Sequence, residues 1–246
     1  LIVKKRLLIL GGTTEAKELA ERAAKIPNLE VISSLAGRTQ NAVNPIGLVR
    51  VGGFGGEAGL VTYLQENSID LLIDATHPFA AQISWNAAIA ADQVAIPRLM
   101  LSRPAWEPEP NWIEVESNEL AAEILPDLAQ RIFLTIGRQE LAAFAHLKQL
   151  WFLMRMIDPP TGVIPPGEVL LARGPFTVEQ ERSWIQTYQI QAIVSKNSGG
   201  EATVAKLSAA QELDLPIVMV NRPAMPMGTK VADVDQALLW IARSHG

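Results

Sequence analysis

Basic side chains at the ends of short apolar runs are the first chemistry this sequence offers. Arg138 follows Thr135-Ile136-Gly137, Arg173 follows Leu170-Leu171-Ala172, Lys196 follows Ile193-Val194-Ser195, and Arg222 follows Met219-Val220-Asn221. If those runs are parallel strands, their ends converge and the four cations form one field. Such a field steers and holds a ligand carrying several carboxylates or phosphates. The plainer alternative pairs each cation with a structural carboxylate such as Glu140, Asp158 or Glu179. Arg103 stands in a similar setting, and Arg155 lies inside a strongly apolar run. Ser195-Lys196-Asn197-Ser198-Gly199-Gly200-Glu201 adds an amide-rich turn before a helix, where Ser198 and Gly199 supply further donors to an anion.

A second set of candidates opens the chain. Gly11-Gly12-Thr13-Thr14-Glu15-Ala16 follows the first apolar run and begins a helix. Glycines let backbone amides approach a phosphate, and a helix N-terminus adds partial positive charge. Thr13 or Thr14 serves either as a helix cap or as a donor to a phosphate oxygen. The third glycine of GxGxxG is absent, and Ala16 takes its packing place; a plain capped turn explains the same residues. The next run ends Ser33-Ser34-Leu35-Ala36-Gly37-Arg38 with no acid to hold a ribose hydroxyl. Ser33 and Arg38 suit a ribose 2′-phosphate instead, which favours NADPH, with NADH as the alternative. In Gly52-Gly53-Phe54-Gly55-Gly56, Gly53 and Gly55 let a flat ligand lie on the backbone while Phe54 contacts a ring; a flexible turn is the competing reading. Asp74-Ala75-Thr76-His77-Pro78-Phe79 closes a further run, with Pro78 in the first turn of a helix and Thr76 or His77 at its cap. His77 is the candidate cofactor contact or proton donor, against an ordinary capping role.

Composition narrows the chemistry. The chain has no cysteine and three histidines, which excludes thiolate metal sites and leaves no metal site expected. A net charge of −5 argues against nucleic acid and anionic membrane as partners. No segment approaches the roughly 20 apolar residues of a membrane span. The opening Leu1–Leu10 runs straight into Gly11-Gly12 without a small-residue cleavage site, so it reads as a buried strand, and a cytoplasmic setting is expected. A Tyr/Lys proton relay, GxSxG, GxxxxGK[ST] and HExxH are all missing.

The elements that position these residues alternate regularly. Val/Ile/Leu-rich runs over Arg6–Leu10, Leu29–Leu35, Leu48–Val51, Ile69–Asp74 and Ile96–Leu101 are separated by helical stretches such as Thr14–Ala24, Ala58–Glu66 and Phe79–Asp92. This predicts an α/β fold with parallel sheet covered on both faces. Prolines at 104, 108 and 110 mark Ser102–Asn111 as a linker. Runs at Trp112–Val115, Arg131–Ile136, Trp151–Ile157, Val169–Ala172, Ala192–Ser195 and Ile217–Val220 follow, and a last helix covers Asp233–Ser244. The expectation is two doubly wound domains facing each other: residues 1–102 binding a dinucleotide and 103–246 binding substrate. From the residues alone, the reading stops at an NADP(H)-binding enzyme for an anionic substrate. A non-catalytic sensor for an anionic ligand stays open beside it, as does a reductase of some other polycarboxylate.

GGTTEA, SLAGR, GGFGG, DATHPFA, TIGRQE, ARGPF and SKNSGG occur in that order between Gly11 and Gly200. This ordered set resembles the precorrin-6A reductase family, cobalt-precorrin-6A reductases included. The resemblance implies reduction of the C18=C19 double bond of precorrin-6A, or its cobalt form, to precorrin-6B in cobalamin biosynthesis, with a nicotinamide cofactor. It also implies two Rossmann-like domains with the active site in the cleft between them, and places the family's cofactor loop at Gly11–Ala16. The tetrapyrrole carries acetate and propionate side chains, which suits the cationic strand ends. The oligomeric state is left open.

Overall fold

Apolar runs buried on both faces need helices on both sides, and the chain supplies them in alternation. The computed structural model describes residues 4–37 and 47–245. They open with β1 (Lys5–Leu10), α1 (Thr14–Ala23), β2 (Leu29–Leu35), β3 (Leu48–Val51), α2 (Gly56–Glu66), β4 (Leu71–Asp74), α3 (Ala81–Val94) and β5 (Arg98–Leu101). There follow β6 (Trp112–Val115), α4 (Asn118–Leu128), β7 (Arg131–Leu134), β8 (Trp151–Met156), β9 (Gly167–Leu171), α5 (Val178–Thr187), β10 (Ala192–Lys196), α6 (Ala205–Glu212) and β11 (Ile217–Val220). A two-residue β12 (Lys230–Val231) and α7 (Val234–His245) close the chain. Two compact units result: Leu1–Pro104 together with Pro223–Gly246, and Ala105–Arg222.

The first unit holds a parallel sheet in the order β12-β5-β4-β1-β2-β3. Period-two alternation sorts its core. Leu7, Ile9, Val31, Leu71 and Ile73 pack with Leu19 of α1 and Ile241 of α7. Leu8, Leu10, Ile32 and Leu72 pack on the other face with Leu60 and Leu64 of α2 and Ala87 and Ala91 of α3. Gly59 lets α2 follow the glycine run closely, because a Cβ there would stand 1.7 Å from the Phe54 carbonyl oxygen.

The second unit repeats the plan with a parallel sheet ordered β6-β11-β10-β7-β8-β9. Phe133, Leu153, Ile193 and Met219 pack there against Ile185 of α5 and Leu207 of α6. Arg155 lies in this apolar layer because Glu181 meets it at 2.7 Å, with the two side chains 9% and 2% exposed. The Phe133, Phe176 and Trp184 rings surround its guanidinium. Burial pushes the Arg155 pKa down and Glu181 partly restores it. This is a structural pair, whose loss on one side would leave an uncompensated buried charge.

The α/β class and parallel sheets agree with the sequence reading, and three details differ. The second unit ends at Arg222, so the expected division into 1–102 and 103–246 gives way to one in which the C-terminal segment returns to the first unit. The cause is hydrogen bonding and burial. Met100 and Ser102 donate backbone N–H groups to Thr229 and Val231 at 2.9 and 3.0 Å, Arg22 of α1 meets Asp235 at 2.5 Å, and Ile241 is fully buried. Helix α3 starts at Ala81, later than Phe79, because residues 77–80 form a turn closed by Ala80 N–H donating to the His77 carbonyl at 2.7 Å. Pro78 therefore precedes the helix. Between β7 and β8 a short 3-10 turn, Leu141–Phe144, stands where a helix fits the alternation.

Ile241→Ala is expected to destabilise the first unit by about 2–5 kcal/mol through loss of packing. Native-state hydrogen exchange would then quicken in β1 and β5 and leave β7 and β10 unchanged. Equal quickening in both sheets would contradict this assignment of α7.

Candidate active site

In each unit the strand order reverses once, between β1 and β4 and between β7 and β10. Loops leaving the carboxyl ends of such neighbouring strands diverge to opposite faces and leave a crevice. At the β1/β4 reversal, the Gly11 N–H donates to the Ser34 carbonyl at 2.9 Å, tying the loop to β2. Gly12 has φ +116°, a conformation that favours glycine, and nothing lies within 4 Å of where its Cβ would be. The Thr13 hydroxyl accepts from the Ala16 N–H at 3.1 Å as helix cap. The same hydroxyl donates to the Ala75 carbonyl at 2.8 Å, binding the β1 loop to the end of β4. Thr14 is exposed at the first helical position. A small hollow here is lined by Thr13, Glu15, Thr76, Pro78, Ser102 and Arg103 among others.

Glu15 in that first turn is gripped by Arg103, whose Nη1 lies 3.0 Å from both carboxylate oxygens. Burial alone pushes the Glu15 carboxyl up. Its own backbone N–H, Arg103 and the Thr13 hydroxyl outweigh this and hold it below the ordinary carboxylate value. An anion at this helix start therefore meets a neutralised pair instead of a bare negative charge.

On the β2/β3 side, Ser33 Oγ is buried and has no hydrogen-bond partner among the described residues. Arg38 lies outside the described residues. Gly53 and Gly55 have nothing within 4 Å of their Cβ positions, so the glycine run is open to a ligand. Phe54 packs edge-on against Tyr63 with ring centroids 5.2 Å apart. Arg50, which the sequence reading passed over, stacks on Phe54 at 3.7 Å. The available signal was an arginine inside a short apolar run immediately before the glycines.

At the end of β4, Asp74 is buried; its Oδ1 accepts from the Thr76 N–H and hydroxyl at 3.1 and 2.7 Å. His77 is exposed, and its Nδ1 accepts from the Phe79 N–H at 3.2 Å. This bond assigns the proton of the neutral ring to Nε2. The strand order puts Phe54 and His77 on opposite sides of β1: β3 and β4 stand three interstrand spacings apart, about 14 Å.

The second unit gathers Lys196, Arg138, Ser198, Gly199 and Arg222 around β7, β10 and β11. Lys196 forms an ion pair with Glu140 across the β7/β10 reversal. Arg138 donates to the Pro159 carbonyl at 3.3 Å and stands 3.9 Å from Asp158. Arg222 donates from Nε and Nη2 to the carbonyls of Asn197 and Ser198 at 2.8 and 3.1 Å. Asn197 in turn exchanges hydrogen bonds with the Trp106 backbone at 2.8 and 3.1 Å. Ser198 and Gly199 are thus held in a braced, buried loop. Arg173 is exposed beyond β9, two strands from β7. Among the described residues no group of acids and histidines could hold a metal ion. No helix among them is long and apolar enough to cross a membrane.

Two parallel sheets, each with one reversal of strand order and with glycine and threonine loops along the carboxyl edge, define a doubly wound α/β protein of Rossmann-like build. The profile of the precorrin-6x reductase CbiJ/CobK family matches residues 6–242, a span that includes all seven motifs. A precorrin-6A reductase of Rhodococcus erythropolis is 50% identical over 240 residues, covering 96% of this chain and 97% of that one. A precorrin-6A reductase of Mycobacterium tuberculosis is 43% identical over 240 residues with the same coverage, 96% and 97%. The solved structure of CobK precorrin-6A reductase superposes with a TM-score of 0.90 at 40% identity, over 98% of this chain and 97% of that one. The chain belongs to the precorrin-6x reductase CbiJ/CobK family.

The Glu15–Arg103 pair has a pH signature. With its folded pKa below 4.5, Glu15 contributes stability that is complete above about pH 4.5 and is lost as pH falls through the folded value. Arg103→Gln is expected to cost on the order of 1–2 kcal/mol at neutral pH. That penalty should shrink as Glu15 protonates in acid, measured by urea unfolding across the range. A penalty independent of pH would exclude Glu15 as its source.

Proposed function

We propose that this chain is a precorrin-6A reductase that reduces the C18=C19 bond with NADPH. The observation that carries the reading is membership of the family over nearly the whole chain. The first unit's loops fit a dinucleotide on their own terms: Gly12 leaves open space at a capped helix start, and nothing lies within 4 Å of where a Cβ would stand on Gly53 or Gly55. In this reading Gly11, Gly12, Thr13 and Thr14 hold the pyrophosphate at the α1 N-terminus. Glu15 acts by keeping Arg103 beside that turn. Ser33, Arg38, Gly53, Phe54 and Gly55 take the adenosine half, and the nicotinamide goes to the β4 side with Thr76 and His77. The strand order favours this division. A bound NADPH supplies a hydride, received at C19.

The chain's own work is placement and the proton. Arg138, Arg173, Lys196 and Arg222, with donors from Ser198 and Gly199, hold the acetate and propionate groups. Lys196 and Arg138 already sit beside Glu140 and Asp158. Substrate carboxylates therefore compete with or join those partners, which tunes affinity downward while keeping the cations in position. His77 supplies the proton to C18 as an imidazolium, so the ring takes a proton from solvent and gives up the Nδ1 bond to the Phe79 N–H before each transfer, returning to the neutral ring afterwards. Most of the acceleration comes from fixed orientation of the reacting carbons.

Anaerobic absorbance kinetics test the reading: precorrin-6A should cause NADPH loss together with a matching change in the corrin spectrum. Parallel runs with the cobalt form and with NADH rank the substrates and cofactors. Folded protein that binds NADPH yet turns over neither macrocycle would favour another polycarboxylate substrate or a binding role. His77→Ala should slow single-turnover reduction by roughly 100-fold or more while NADPH affinity stays within a factor of about two. Unchanged turnover would remove His77 from the proton step.

A further inference from the structure

We propose that Arg50 reads the 2′-phosphate of the cofactor and so decides between NADPH and NADH; the assignment rests on the NADPH reading above. Arg50 pairs in register with Ser34 near the carboxyl end of β2. Its Nη1 donates to the Gly52 carbonyl at 2.5 Å and lies 3.4 Å from Ser34 Oγ, and its Nη2 donates to the Gly53 carbonyl at 2.7 Å. Its guanidinium carbon lies 3.7 Å from the Phe54 ring centroid and 5.1 Å from that of Tyr63.

Every one of these partners is neutral. Carbonyl oxygens and aromatic faces fix the orientation of a guanidinium without cancelling its charge. Among the described residues no carboxylate lies within ion-pair distance of Arg50, in a chain with 26 acidic residues and a net charge of −5. Arg103, Arg155 and Lys196, by contrast, each have a carboxylate in contact. Arg50 is a half-buried cation held by neutral groups, with no carboxylate partner among the described residues, at the strand ends that flank the open glycine run. β3 stands two strand spacings from β1, about 10 Å, on the side away from β4. An anion there is distinct from the pyrophosphate at the α1 turn, and a phosphate on the adenosine ribose meets both constraints.

Isothermal titration of Arg50→Gln and Arg50→Lys with NADPH, NADH, adenosine 2′,5′-bisphosphate and adenosine 5′-monophosphate tests the assignment without turnover. Arg50→Gln should weaken NADPH and the bisphosphate by about tenfold or more. NADH and the monophosphate should change by less than about threefold. Arg50→Lys, which retains the charge, should fall between and shows that the loop still folds. Equal weakening of NADPH and NADH in Arg50→Gln would make Arg50 a loop clasp only and overturn the assignment. So would a wild-type preference for NADPH that survives the substitution. Wild-type protein that binds NADPH no tighter than NADH would sink the NADPH reading itself, and this assignment with it.

Discussion

All six strands of each sheet run the same way, and that single constraint governs where chemistry can occur. Parallel strands send every carboxyl end to one edge, so loops far apart in sequence become neighbours there. The order of the sheet then decides which of them meet. In the first unit the β1 loop lies between the β4 loop and the β2/β3 loops, and the Thr13 hydroxyl bond to Ala75 spans the reversal. The same rule in the second unit puts Lys196 and Glu140 across the β7/β10 reversal. It leaves Arg173 toward the far edge.

Within that frame, the partner of each cation says more than its presence. A carboxylate partner fixes and neutralises, as Glu181 does for Arg155 in an apolar layer and Glu15 does for Arg103 beside the α1 turn. A carbonyl partner fixes a guanidinium and leaves its charge in place. Arg222 uses its donors in that way to brace the Asn197–Ser198 backbone, and Arg50 to clasp Gly52 and Gly53. An acidic protein keeps a cation available to an anionic ligand only where its own acids do not take it up.

The return of the C-terminal segment joins stability to topology. β12 contributes only two residues, yet it completes the edge of the first sheet, and α7 covers the face that α1 shares. β6 fills the corresponding edge position in the second sheet from the other end of its unit. Both sheets reach six strands by the same plan, with the edge strand supplied from opposite chain directions.

Much of this was legible in the sequence because it is local. Buried parallel strands need continuous apolar runs, and the boundaries of β2 and β11 fall where those runs do. Thr13 caps α1 as its position before the helix requires, and seven ordered motifs were enough to indicate the family. Tertiary structure alone decided what depends on distant residues coming together. β12 has no apolar period to announce it and exists because β5 offers an open edge. The turn at residues 77–80 delays α3 through a bond that composition does not encode. Above all, the carboxylate or carbonyl that each arginine meets is set by strand order. The sequence alone determined that the basic residues stand at strand ends, and folding decided that Arg103 meets Glu15 while Arg50, among the described residues, meets neutral oxygens and the Phe54 and Tyr63 rings. The physical reason is that electrostatic pairing acts over a few ångströms in space, whatever the separation along the chain.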